Sequence, residues 1–115
     1  MSMATSHLEF LDESVFDFLF SLRKKPALYF GEKSLTRLNV YLAGYQHGLG
    51  RLGKTLKHGD QFHGFHDWVG AKLGFTSSTS GWCNMILSKS TDEKTAFDRF
   101  FELLEEFQRE RGLTP

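Results

Sequence analysis

The sequence predicts an all-α fold, a compact single domain of four or five helices. Apolar residues recur at steps of three and four along most of the chain, which is the period of an amphipathic helix. No two alternating apolar runs are joined by Asn-Gly or a similar turn, so no β-hairpin is predicted. The length of 115 residues suits one domain spanning residues 1–115, and residues 1–7 are expected to form a disordered tail.

The composition supports a folded core and bears on two classes of protein. Aromatic residues make up 15% of the chain and include twelve phenylalanines, which excludes a largely disordered chain. Fourteen basic and fourteen acidic residues cancel, so the bulk charge does not indicate a strongly basic nucleic-acid-binding protein.

The first predicted helix covers about residues 9 to 24. Leu11, Val15 and Phe18 follow the helical spacing, and acidic residues precede basic ones, which suits the helix dipole. Pro26 ends this helix because the residue before a proline is disfavoured in the α region.

A long second helix is predicted after Ser34, whose side chain suits an N-cap. The most regular apolar stripe of the chain covers residues 35–56, and it is expected to fray or break beyond about residue 50. Gly44 and Gly48 lie four residues apart on one face of this helix. Their small side chains predict a close crossing with another helix at that point.

Two shorter elements are predicted between the long helices. A third apolar stripe covers residues 62–73, with Asp60 as the candidate cap and Gly74 as a left-handed residue after the helix. The run at residues 81–89 is predicted to be either a short helix or a strand, since periodicity cannot separate the two at this length.

The last predicted helix is rich in phenylalanine and acid. Ser90 and Glu93 have the spacing of a capping box, and Gly112 is expected to end the helix. The apolar stripe consists of Phe97, Phe100, Phe101, Leu104 and Phe107. The outer face carries Glu102, Glu105, Glu106 and Glu110.

The net charge of zero conceals a separation of charge along the chain. Residues 23–57 contain eight basic residues and one acid, whereas residues 92–110 contain seven acids and three bases. These surfaces either neutralise each other or stay solvated within the fold, or they form a polarised surface that attracts a charged partner.

One cluster offers a candidate for catalytic or metal chemistry. His58, His63, His66 and Asp67 are residue types that bind zinc. The usual zinc-helix pattern of two histidines four residues apart, with a glutamate as general base, is absent. We therefore predict no metal, no cofactor and no catalytic residue, and a small enzyme that uses this cluster remains an alternative.

Cys83 is the single cysteine, so an intrachain disulfide is excluded and a cytoplasmic protein is favoured. It is expected to be buried beside Trp82 rather than to act as a nucleophile. Acidic residues interrupt the apolar run at residues 8–22, so neither a signal peptide nor a membrane span is predicted. A cytoplasmic location is expected.

Several short motifs follow one another along the chain. They are basic-Pro-x-x-Tyr-x-Gly at residues 25–31, Ser-Leu-x-x-Leu at residues 34–38, Gly44-Tyr45, Phe-His-Asp-Trp-Val at residues 65–69, a Ser-to-Trp element at residues 78–82, and the Phe-rich acidic helix. In this order they resemble a family of small uncharacterised bacterial proteins, although the spacing in residues 78–82 departs from that family. Members of the family are similar to stand-alone immunity proteins found beside polymorphic or contact-delivered toxins.

The resemblance implies a binding protein that neutralises a cognate protein toxin by occluding its active site, without catalytic residues of its own. The candidate partner-binding residues are Tyr29, Trp68 and Trp82 as anchors, with Glu102, Glu105 and Glu106 as charge complements to a basic toxin site. Neither a membrane nor a nucleic acid is expected as a partner, and the oligomeric state stays open. A regulatory adaptor domain that uses residues 23–57 is a further alternative.

Overall fold

A computed structural model describes residues 9–76 and 81–113 of the chain. The predicted tail at residues 1–7 and part of the motif at residues 78–82 lie outside these ranges. The described residues form seven helices and two strands. In chain order these are β1 (Glu9–Ser14), α1 (Val15–Arg23), α2 (Pro26–Phe30), α3 (Leu35–Arg51), β2 (Lys54–Lys57), α4 (Gly59–His63), α5 (Phe65–Lys72), α6 (Gly81–Ser88) and α7 (Glu93–Arg111).

The prediction of an all-α domain of four or five helices is confirmed only as a mostly helical fold, because the described residues form seven helices and also contain a small sheet. β1 and β2 pair in parallel as a two-stranded sheet, with Glu9 opposite Lys54 and Phe10 opposite Thr55. The two strands lie on either side of α1, α2 and α3 in the sequence, so no local turn pattern indicates their pairing.

The predicted first helix therefore begins too early. Residues 9–14 form β1, and α1 starts at Val15 because the hydroxyl of Ser14 accepts a hydrogen bond from the backbone N–H of Asp17 at 3.0 Å. Pro26 is the first residue of α2. Backbone N–H groups in the first turn of a helix have no partner within the helix, so the N–H that proline lacks is not missed there.

α3 starts as predicted and ends earlier than its apolar stripe. Ser34 caps the helix, and its Oγ accepts from the backbone N–H of Arg37 at 3.1 Å. The stripe continues into β2, where Leu56 is buried in a strand. The predicted close crossing at Gly44 and Gly48 is wrong, because a Cβ at either position would meet nothing within 4 Å.

The third predicted helix is divided at Gly64 into α4 and α5. His58, rather than Asp60, precedes α4, and it is in the left-handed conformation with a φ of 64°. Gly74 has a φ of 83°, which confirms the predicted left-handed residue after α5. α6 settles the open alternative at residues 81–89 in favour of a helix.

α7 begins with a different cap from the predicted capping box. Asp92 accepts from the backbone N–H of Thr95 at 2.8 Å, whereas the hydroxyl of Ser90 donates to the carbonyl of Ile86. Glu93 is directed to α3 instead of to its own helix. Gly112 ends α7 in the left-handed conformation, as predicted.

The core lies along the apolar face of α7, which packs against α3, α5 and α6. The fully buried phenylalanines of α7 are Phe97, Phe100, Phe101 and Phe107. Their rings, together with Phe65 of α5, form a chain of edge-to-face contacts with centroid distances of 4.9 to 5.6 Å. None of the helices in the described part of the chain has the length and apolar content to cross a membrane.

Candidate functional site

α3 separates two concave surfaces, which we name the groove and the cleft. The groove lies between α2 and α3, has a volume of about 330 Å³, and is lined by Tyr29, Phe30, Thr36, Arg37, Val40 and Tyr41. The cleft lies on another side of α3, facing α4, α5 and α6, and has a volume of about 580 Å³. Its apolar lining is Leu42, Phe62 and Trp82, and its polar lining includes Asn39, Gln46, His63, His66 and Asp67.

The groove exposes apolar side chains to solvent. Val40 is 66% exposed and Tyr29 is 37% exposed, and Leu28, the neighbour of Tyr29 on α2, is 72% exposed. The ring of Tyr41 joins the two helices, since it lies 5.8 Å from the ring of Tyr29 and 5.4 Å from the buried ring of Phe30. Exposed aliphatic and aromatic groups gathered around a depression are typical of interaction surfaces.

Hydrogen bonds hold the two walls of the groove together. Nη1 of Arg37 donates to the carbonyl of Phe30 at 2.6 Å, which ties α3 to the end of α2. Gly31 makes this approach possible, because its φ is 84° and a Cβ there would lie 3.0 Å from Nη1 of Arg37. The groove therefore has its shape in the free protein, without a bound partner.

Glu93 of α7 fixes the beginning of α3, next to the groove. Its Oε1 accepts from the hydroxyl of Ser34 and the backbone N–H of Thr36, both at 2.9 Å, and its Oε2 accepts from the hydroxyl of Thr36 at 2.5 Å. Burial alone would raise the pKa of Glu93, but these hydrogen bonds outweigh burial and hold the pKa below its ordinary value. Sequence analysis missed this role because the partners lie on a different helix.

Aromatic rings form the floor of the cleft and fix its shape. Phe62 and Trp82 meet nearly edge to face, with ring centroids 6.1 Å apart. On the side that faces the core, Trp82 stacks on Phe100 with ring centroids 4.8 Å apart, and Phe62 stacks on Phe65 with ring centroids 5.6 Å apart. Both floor rings are thus held by the core.

The two predicted tryptophan anchors lie in different environments. Trp82 lines the cleft and is half-buried. Trp68 is only 9% exposed, and its indole N–H donates to Oε1 of Glu110 at 2.9 Å. Lys72 lies over the ring of Trp68, 5.8 Å from the centroid. Of the three predicted anchors, Tyr29 and Trp82 open onto concave surfaces and Trp68 belongs to the core.

The predicted acidic contacts on α7 each have a cation of the same chain beside them. Oε2 of Glu105 lies 3.5 Å from Nη1 of Arg23, and Oε1 of Glu102 lies 3.3 Å from Nη1 of Arg99. Glu106 pairs with Lys72 of α5, and this contact lowers the pKa of Glu106. Exposed pairs of this kind contribute little to stability, about 0–1 kcal/mol each. Part of the charge separation seen along the sequence is thus compensated within the fold.

The histidine cluster does not form one site. His63, His66 and Asp67 line the cleft, whereas His58 lines two shallower depressions beside β2. Nε2 of His66 and Oδ1 of Asp67 are 4.0 Å apart. Within residues 9–76 and 81–113, no group of three His, Cys, Asp or Glu side chains is arranged to hold a metal ion.

Cys83 is buried, as predicted, and points toward the carbonyl of Leu35 at 3.9 Å. Burial, followed by the nearby carboxylate of Glu93, raises the pKa of the Cys83 thiol to about 11. The side chain is therefore a thiol at neutral pH, which disfavours a nucleophilic role.

The residues that sequence analysis missed lie off the apolar stripe of α3. Val40 in the groove, and Asn39 and Gln46 in the cleft, flank that stripe on either side. Val40 is an apolar residue outside the periodic positions, which is the one sequence signal that marks it. Comparison of the chain with protein-family models, with curated proteins and with solved structures gave no match.

Proposed function

We propose that this protein binds a cognate bacterial toxin and neutralises it by occluding the toxin's active site, the function that the motif resemblance implies. The observation that supports a protein partner is the groove, where Tyr29, Val40 and Tyr41 surround Arg37 on a surface open to solvent. Tyrosine and arginine are enriched among the residues that contribute most to protein–protein binding.

The groove is suited to binding a protein partner without catalysing a reaction. The bonds of Glu93 to Thr36 and of Arg37 to Phe30 hold its walls in place, so little conformational freedom is lost when a partner docks. A standard interface covers about 800 Å² on each partner, so the contact extends beyond the groove. Leu28 and the exposed lysines of the α1–α2 turn, Lys24 and Lys25, lie next to it along the chain.

The predicted anchors take different parts in this proposal. Tyr29 remains a central contact because its ring forms part of the groove. Trp68 stays in the core, and Glu102, Glu105 and Glu106 act at the rim, where each would exchange its own cation for one of the toxin. The alternative of an enzyme has less support, because His58 lies apart from His63 and His66.

A pair of matched variants tests the groove. Val40→Asp places a carboxylate among the groove's apolar groups, whereas Leu52→Asp places the same charge on a leucine that is 73% exposed at the end of α3. Each variant is co-expressed with the product of the adjacent gene, and co-purification and cell survival are measured. We expect Val40→Asp to weaken binding at least about tenfold and to abolish protection, and Leu52→Asp to change neither.

Two results would contradict the proposal. If the unaltered chain neither co-purifies with nor protects against that product, the immunity function is wrong. If both variants bind and protect as the unaltered chain does, the function stands and the groove is not its interface. Circular dichroism of both variants shows that any loss of binding is not a loss of fold.

A further inference from the structure

The cleft is a second concave surface with a construction unlike that of the groove. Its volume of about 580 Å³ lies within the range of small-molecule sites, roughly 300 to 1,000 Å³. It combines an apolar floor with a polar rim, which is the usual composition of such sites. Nothing in the binding of a partner at the groove requires these features.

Trp82 is the exposed aromatic ring of the floor, since it is half-buried, whereas Phe62 is 8% exposed and packs beside it. The planes of the two rings are inclined by 71°, and their centroids lie 6.1 Å apart. Both edge-to-face and stacked arrangements are favourable between aromatic systems. Phe65 packs against Phe62 and Phe100 packs against Trp82 from the core, so the floor of the cleft keeps its shape without a ligand.

The rim supplies hydrogen-bonding groups from two sides. Asn39 and Gln46 lie two turns apart on α3 and share a face, and His63 and His66 come from α4 and α5. A carboxamide offers both a donor and an acceptor, which matches the alternating donor and acceptor atoms on the edge of a nucleobase. Within the described ranges, the side chains of Asn39, Gln46 and His63 make no hydrogen bond or ion pair with one another or with any other residue.

The charges around the cleft disfavour a strongly anionic ligand. Neither lysine nor arginine is among its lining residues in the described part of the chain. Asp67 carries the carboxylate on the rim, and its side chain is 89% exposed. A phosphate group would meet no lysine or arginine of the lining here and would be repelled by this carboxylate.

We propose that the cleft binds an uncharged purine nucleoside, with the base against the exposed part of Trp82 and its edge bonded to Asn39 or Gln46. Aromatic stacking accepts any base, and a bidentate carboxamide contact favours adenine. The ribose lies toward the histidines at the open side. This site is independent of the groove, so its failure and the failure of the immunity function are separate outcomes.

The fluorescence of Trp82 reports occupancy directly. The chain has two tryptophans, so Trp68→Phe leaves Trp82 as the single emitter. Adenosine and AMP are titrated into this variant with excitation on the red edge of the indole band. We expect a saturable change with adenosine and at least about fivefold weaker binding of AMP, because the cleft lining has no lysine or arginine for the phosphate and carries the Asp67 carboxylate. If Trp68→Phe does not fold, isothermal calorimetry on the unaltered chain makes the same comparison.

Two glutamines give a matched pair of variants. Gln46 lines the cleft, whereas Gln61 lies on α4 and lines a different depression. We expect Gln46→Ala to weaken adenosine binding about tenfold and Gln61→Ala to change it less than about twofold. Absence of saturation with adenosine and guanosine, equal affinity for adenosine and AMP, or equal affinity of the two variants would each overturn the proposal.

Discussion

The groove and the cleft share α3 as a wall, yet their linings and their supports are reversed. The groove is lined mainly by apolar groups such as Tyr29 and Val40, and hydrogen bonds from Arg37 and Glu93 hold its walls. The cleft has a polar rim, and stacked rings beneath Trp82 hold its floor. The groove thus exposes mainly apolar groups and is held by hydrogen bonds, whereas the cleft exposes a polar rim and is held by packed aromatic rings.

This reversal has a physical reason. An apolar group that faces solvent cannot also be fixed by burial, so the groove's walls depend on directional bonds at their edges. The polar groups of the cleft's rim must stay free to form hydrogen bonds with a ligand, so they cannot also hold the cleft together. The shape of the cleft therefore depends on the packing of the rings beneath its floor. The two surfaces should therefore respond to different perturbations, although they lie on one helix.

The largest expected effect is on the support of the cleft. Phe100 is fully buried and contacts Trp82, Phe65 and Phe101. Phe100→Ala should lower the free energy of unfolding by about 3–5 kcal/mol, because it removes a ring and leaves a cavity. Urea denaturation measures the loss.

The matched control for this variant is Phe10→Ala. Phe10 is 64% exposed on β1, so its truncation should cost less than about 1 kcal/mol. Similar losses for the two phenylalanines would show that the rings beneath the cleft do not form the described packing.

A smaller effect is expected from the bonds that support the groove. Glu93→Gln keeps one carbonyl acceptor but removes the charge and one acceptor from the contacts to Ser34 and Thr36. We expect a loss of about 1–2 kcal/mol in the free energy of unfolding and faster hydrogen exchange of the Thr36 amide. Glu102→Gln, which alters only a surface pair with Arg99, should cost less than about 0.5 kcal/mol. If the Thr36 amide exchanges at the same rate in both variants, Glu93 does not support the groove.

Acid should remove the same support and leave the cleft's floor intact. The pKa of Glu93 in the folded state is lower than its ordinary value of 4.5, so its contribution to stability is complete above that pH. The contribution is lost as the pH falls through the lowered pKa. The stability difference between the unaltered chain and Glu93→Gln should therefore shrink below pH 4.5. A difference that stays constant or grows toward low pH would contradict this assignment.

The smallest expected effect concerns the shared wall itself. A Cβ at Gly44 meets nothing within 4 Å, so Gly44→Ala should raise the free energy of unfolding by about 0.5–1 kcal/mol through helix propensity. Gly31→Ala is the contrasting variant, because a φ of 84° and the nearby Arg37 make a side chain unfavourable there. Thermal unfolding should show a rise in Tm for the first and a fall for the second; two falls would mean that Gly44 lies in a close contact after all.

Local signals predicted the elements that depend on neighbouring residues. Ser34 begins α3 and Gly112 ends α7 as expected, since cap geometry involves only the nearest few residues. The Ser90 capping box failed because Asp92 competes for the same role and Glu93 has better partners on α3. The local sequence does not show that Glu93 bonds to Thr36 of α3 rather than to the first turn of its own helix.

The missed sheet and the missed groove have the same origin. Residues 9–14 are strand only because β2 lies beside them, and that neighbour follows three helices later in the chain. Val40 lines a groove only because α2 folds back against α3. Tyr29 and Trp82 line concave surfaces, and their role as partner-binding anchors stays a prediction.

The position of the core on α7 determines when this chain can fold during its synthesis. Rings of α7 contact Phe16 and Phe20 of α1, Phe30 of α2 and Phe65 of α5, so the apolar core is incomplete until α7 is made. The helix has 19 residues, and translation at about 5–20 residues per second takes roughly one to four seconds to complete it. Throughout that interval the emerging chain exposes the apolar side chains that α7 later covers, so we expect them to be open to chaperones or to aggregation.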